Sequence, residues 1–102
     1  MPATATKTEH RPLAQIAREI QRDWMEQYKK IGSTTTDKFY AARPYLNAMM
    51  ALDQIDGNFY DDTAQDIVLR FLTNSATWRG ETARRVKAEL KAILRGNGYP
   101  IK

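Results

Sequence analysis

Apolar residues recur along this chain at steps of three and four, the period of a helix with one buried face. The stripe is longest in the first third, where Leu13, Ile16, Ala17, Ile20, Trp24, Tyr28 and Ile31 align. Pro12 suits a first helical turn, where its missing N–H removes nothing. Gly32, followed by the polar run Ser33 to Asp37, supplies a stop. The pattern predicts a helix over about 12–31. An aromatic segment, Lys38 to Ala42, reads as one further turn.

Pro44 restricts Arg43 and opens a second predicted helix over 44–55, with Tyr45, Leu46, Met49, Met50, Leu52 and Ile55 as its apolar positions. Asp56-Gly57-Asn58 is a turn signal. Asp62 with Gln65 has the spacing of a capping box ahead of a third helix over 63–73, which would bury Ala64, Ile67, Val68, Phe71 and Leu72. A turn at Asn74 to Thr77 precedes a fourth helix over 78–95. Its buried face carries Ala83, Val86, Leu90, Ile93 and Leu94, and Gly96-Asn97-Gly98 ends it. Trp24 belongs to the first core stripe, and Trp78 at a helix start is read as a packing residue in preference to a partial interface anchor. No stretch alternates as a strand would, and neither a repeat nor a linker divides the chain. The expected fold class is all-α: a compact four-helix bundle or orthogonal helical array, forming one domain over 11–102 after a flexible tail at 1–10.

The composition is that of a folded globular protein: 102 residues, 42% apolar and 27% charged. Apolar runs are far shorter than a membrane span requires, and the first ten residues lack the apolar segment of a secretory signal. Without cysteine there can be no disulfide, thiolate metal site or cysteine nucleophile. A cytoplasmic location and no membrane partner are expected.

The net charge of +4 favours acidic partners, and its distribution sharpens that preference. Residues 53–66 hold five aspartates and no Lys or Arg. Residues 79–102 hold seven Lys/Arg against two glutamates. At 100° per residue, Arg84, Lys91 and Arg95 fall within about 40° of one another, with Lys87 beside them and Arg79 at the helix start. Such a stripe is suited to tracking phosphates. Arg85 has Glu81 and Glu89 at i−4 and i+4, so a local ion-pair row is expected to absorb it. A second candidate patch lies on the polar face of the first helix, where Met25 projects beside Arg18, Arg22 and Lys29.

Catalytic chemistry is not legible. The single histidine, His10, falls in the expected tail, where nothing would orient it as a general base. Ser33 and Ser75 lie in turns without a nucleophile-elbow pattern. Aligning Gly57 with the glycine of a calcium-binding loop puts Leu52 at the first ligand position. Capping and turn duty are therefore preferred for Asp53, Asp56, Asp61 and Asp62 over a metal site. No phosphate-cradling glycine motif occurs, and neither a cofactor nor a metal is expected.

The third and fourth predicted helices resemble a helix-turn-helix, with Thr77, Arg79, Thr82 and Arg84 as reading residues. The usual turn glycine is missing, and Gly80 sits inside the predicted helix. Residues 44–91, chiefly the block T-W-R-G-E-T-A-R at 77–84, resemble short uncharacterised bacterial proteins of the phage and mobile-element kind. That resemblance implies an accessory protein and carries no site residues. The expected role is a non-catalytic binding module that contacts nucleic acid or an acidic protein surface. The alternative is a protein-interaction domain, including a homo-oligomer.

Overall fold

The computed structural model describes residues 10–31, 39 and 41–98. Among them are four helices, α1 (Leu13–Ile31), α2 (Arg43–Met49), α3 (Ala64–Thr73) and α4 (Glu81–Gly96). Two short strands, β1 (Asn58–Phe59) and β2 (Asp62–Thr63), lie between α2 and α3. The chain is thus mostly helical but not purely all-α. The expected stop at Gly32, Lys38 and Tyr40 of the aromatic turn, and residues 1–9 of the N-terminal tail lie outside the described residues.

The strands pair antiparallel, Asn58 with Thr63 and Phe59 with Asp62. Their two-residue connection has Tyr60 at φ 57°, a left-handed conformation usually left to Gly, Asn or Asp. Strands of two residues are too short to alternate, which is why no period announces them.

α2 stops six residues before its predicted end. The apolar pattern continues to Ile55, but the carbonyls beyond Met50 serve another helix. Leu52 O accepts the Ala14 amide at 2.7 Å, and Asp53 O accepts the Leu13 amide at 2.9 Å. Two of the four amides that any helix leaves open at its N-terminus are thereby satisfied by a distant segment. A helix ending at 55 would leave the carbonyls of its last four residues without partners of its own. What turns these two toward α1 is the tight turn after Met49, where the Ala51 and Leu52 amides donate to Ala48 O and Met49 O. Leu52 and Ile55 still reach the core, both 4% exposed.

The cap of α3 lies one residue later than the spacing suggested. Thr63, with extended backbone, accepts the Asp66 amide on its hydroxyl at 3.1 Å. α4 likewise starts at Glu81 rather than 78, because Gly80 (φ 116°, ψ 178°) breaks the helical path.

α1 packs against α2 and α4, and α3 completes the ring by contacting the same two helices. The apolar stripes converge on an aromatic centre. Trp24 stacks on Phe39 (ring centroids 4.6 Å apart), and Phe71 and Trp78 each lie 6.1 Å from it. All four rings are buried. Arg43 closes one edge, its guanidinium over Trp24 and donating to the Tyr28 hydroxyl at 2.6 Å. Among the described residues no helix is long and apolar enough to cross a membrane.

Candidate functional site

α4 positions the predicted basic stripe by burying the opposite face, where Ala83, Val86, Leu90, Ile93 and Leu94 enter the core. Arg84 and Arg95 are exposed and Lys91 is half-exposed. Arg79 stands outside the helix, on the loop before it. The side chain of Arg79 is exposed while its carbonyl accepts from Gln27 Nε2 at 3.2 Å. Among the described residues, none of these four cations forms an ion pair with a carboxylate. Ala88 and Ala92, about 40° and 80° around the helix from Arg84, are exposed beside them.

Lys87 departs from the stripe. It lies about 60° from Arg84 toward the core edge, and its ammonium turns inward. Nζ donates to Ser75 O and to Trp78 O, both at 2.7 Å, and sits 5.7 Å from the centroid of the Trp78 ring. Burial pushes its pKa below the usual lysine value, and the nearby positive charges of Lys91 and Arg79 push it further. Lys87 is therefore a clamp on the α3–α4 loop before it is anything else.

The loop is clamped from the other side by α1. Trp78 Nε1 donates to Asp23 Oδ2 at 2.7 Å, and Gln27 Nε2 donates to the same oxygen at 2.9 Å. These contacts hold Trp78 as a core residue and place Arg79 at the surface.

Arg85 does not form the local row with Glu81 and Glu89. It pairs instead with Glu19 of α1. Glu89 accepts both ends of the Arg11 guanidinium, at 2.9 and 2.7 Å, and Arg11 also reaches Glu19 at 2.8 Å. The result is an alternating chain, Arg85–Glu19–Arg11–Glu89, that ties α1 to α4. The Arg85 hydrogen bond is the largest influence holding the Glu19 carboxyl below its ordinary range, against the opposing effect of burial. Sequence spacing missed the chain because two of its members come from the far side of the fold.

The second patch, Arg18, Arg22, Met25 and Lys29, is exposed on α1, with Met25 at 55%. It does not merge with the α4 stripe. A shallow groove of about 200 Å³, lined by Glu19, Arg22, Asp23, Glu26 and Thr82, lies between them. Its carboxylates interrupt the positive surface, and Glu26 also stands 3.7 Å from Lys29. The α4 stripe therefore stands alone.

The helix-turn-helix reading loses two of its four reading positions to the loop, since Thr77 and Arg79 precede α4. Thr82 lies about 160° around the helix from Arg84, on the acidic side. His10 is not loose. Its Nδ1 lies 2.6 Å from Arg11 O and its Nε2 accepts the Ile55 amide at 3.4 Å, so both ring nitrogens are engaged with backbone. Among the described residues, no three acidic or histidine side chains converge to hold a metal ion. No family model matches the chain, and neither a curated protein nor a solved structure shows significant similarity to it.

Proposed function

We propose that the protein is a non-catalytic binding module whose α4 face contacts a polyanion, with nucleic acid as the preferred partner. The observation that supports this is the set of four cations, Arg79, Arg84, Lys91 and Arg95, without carboxylate partners among the described residues. Glu89 and Arg85, on the same helix, are neutralised within the α1–α4 chain of ion pairs and Lys87 is turned onto the α3–α4 loop, so Arg84, Lys91 and Arg95 are what remains of α4's charge beside Glu81. The role fits a cytoplasmic accessory protein of the phage or mobile-element kind.

Four phosphate contacts predict that log K for duplex DNA falls with log salt at a slope of about −3.6. Arg84→Ala should weaken binding across sequences and reduce the slope by about 1. Fluorescence anisotropy over a salt series measures both quantities. Absence of binding at low salt would refute the nucleic-acid reading.

A second reading rests on the hairpin. Tyr60 is 89% exposed beside Asp61 and Asp62, an acidic surface complementary to α4 of another copy. Sedimentation velocity would show association weakened by salt and by Tyr60→Ala. A monomer at all concentrations removes it.

A further inference from the structure

The α3–α4 loop and the first turns of α4 border an open groove of about 290 Å³. It is lined by Ala76, Gly80 and Ala83, by Trp78 at its floor and by three cations, Arg79, Arg84 and Lys87. Among the described residues no carboxylate lines it. We infer that this groove is a seat for one phosphate group, held between the Arg79 and Arg84 guanidinium groups with the Lys87 ammonium behind them. The inference deepens the polyanion reading and rests on it, naming the point on the α4 face where a phosphate is gripped rather than merely attracted.

Three observations carry it. First, an ammonium has three N–H donors, and the carbonyls of Ser75 and Trp78 take two of Lys87's. The third is left for a ligand. Second, Lys87, whose pKa is lowered first by burial, also feels the positive charges of Lys91 and Arg79, and among the described residues no carboxylate pairs with it. A bound dianion would relieve that repulsion. Third, guanidinium groups meet phosphate oxygens through paired N–H donors, whereas lysine acts as a point charge, and the groove supplies both kinds. Trp78 is fully buried and offers no face for a base to stack on. The large exposed aromatic among the described residues, Tyr60, belongs to the acidic hairpin. The groove is therefore suited to a phosphate and not to a nucleobase.

The test is an NMR titration of the intact chain with inorganic phosphate at about pH 7.5, where phosphate is largely dianionic, with chloride holding ionic strength constant. Expected are saturable shifts at the amides of Gly80, Ala83 and Lys87, and a rise of the Lys87 ammonium pKa back toward its usual value. Arg79→Ala and Arg84→Ala, both at exposed side chains, should each weaken phosphate about tenfold, and Arg95→Ala should leave it unchanged. Shifts that do not saturate, or that Arg95→Ala weakens equally, would overturn the seat.

A second arm uses one duplex with and without a 5′-terminal phosphate, each competed with inorganic phosphate. Equal competition assigns the seat to backbone phosphodiesters. Competition confined to the phosphorylated duplex assigns it to a terminal monoester. Phosphate binding without duplex binding keeps the seat and removes the nucleic-acid reading. Duplex binding that Arg79→Ala and Arg84→Ala weaken no more than Arg95→Ala removes the seat and keeps that reading.

Discussion

Replacing Lys87 by Met separates a structural ammonium from a surface one. Met keeps the length and apolar character of the stem that lies along the core edge, so packing changes little. What disappears are two charge-assisted bonds, at 2.7 Å, to Ser75 O and Trp78 O. Hydrogen bonds to a charged group are worth about 1.5–3 kcal/mol each, but two facts reduce the sum. Ser75 O still accepts the Trp78 amide at 3.0 Å, so only the Trp78 carbonyl loses its partner. The lysine also carries a desolvation cost, which its lowered pKa records and the variant escapes. The expected net loss is about 1–2 kcal/mol, a fall in Tm of roughly 5–15 °C for a domain of this size. Thermal and urea unfolding followed by circular dichroism measure it, with the urea m-value unchanged. Lys91→Met is the control, since that ammonium clamps nothing among the described residues, and should stay within about 0.5 kcal/mol of the parent. Equal stabilities for Lys87→Met and the parent would refute the clamp.

Two further changes address the joints of the fold. Glu19→Gln removes the centre of the Arg85–Glu19–Arg11–Glu89 chain and should cost about 1–2 kcal/mol. Glu19's folded pKa lies below its ordinary value of 4.5, so the unfolded chain binds more protons between the two. The carboxylate's contribution is present above about 4.5 and is lost as pH falls through the folded value. The variant should lose that part of the acid dependence in a urea series, and an unaltered profile would discount the chain. Gly80→Ala should destabilise by about 1–3 kcal/mol through backbone conformation alone. A Cβ there meets nothing within 4 Å, so an equally stable alanine variant would show that the φ of 116° is not enforced.

What the sequence disclosed and what it hid follow from the range of the interactions. α1, α3 and α4 were legible because their apolar stripes repeat over several turns, and the same periodicity placed Arg84, Lys91 and Arg95 on one face. The early end of α2 was not legible, since the segment after it is held by amides some forty positions away in α1. The hairpin was hidden because its turn uses Tyr60-Asp61, without the glycine or asparagine that usually marks such a turn. Lys87 looked like its neighbours in spacing, and only the fold of the 74–80 loop above it turned the ammonium inward. Arg85 appeared to have local partners, yet Glu19 and Arg11 outcompeted them from across the interface. The separation of the two basic patches also depends on how α1 and α4 are rotated against each other, which no single-helix pattern contains.

The borrowed cap of α1 bears on how this chain opens and closes. Amides in the first turn of a helix ordinarily exchange with solvent quickly, because nothing in the helix holds them. Here the Leu13 and Ala14 amides are held by carbonyls from the segment after α2. They can exchange only when that segment detaches from α1. Native-state hydrogen exchange should therefore find a helix terminus that is slow and that reports cooperative opening of the α1–α2 half, rather than local fraying.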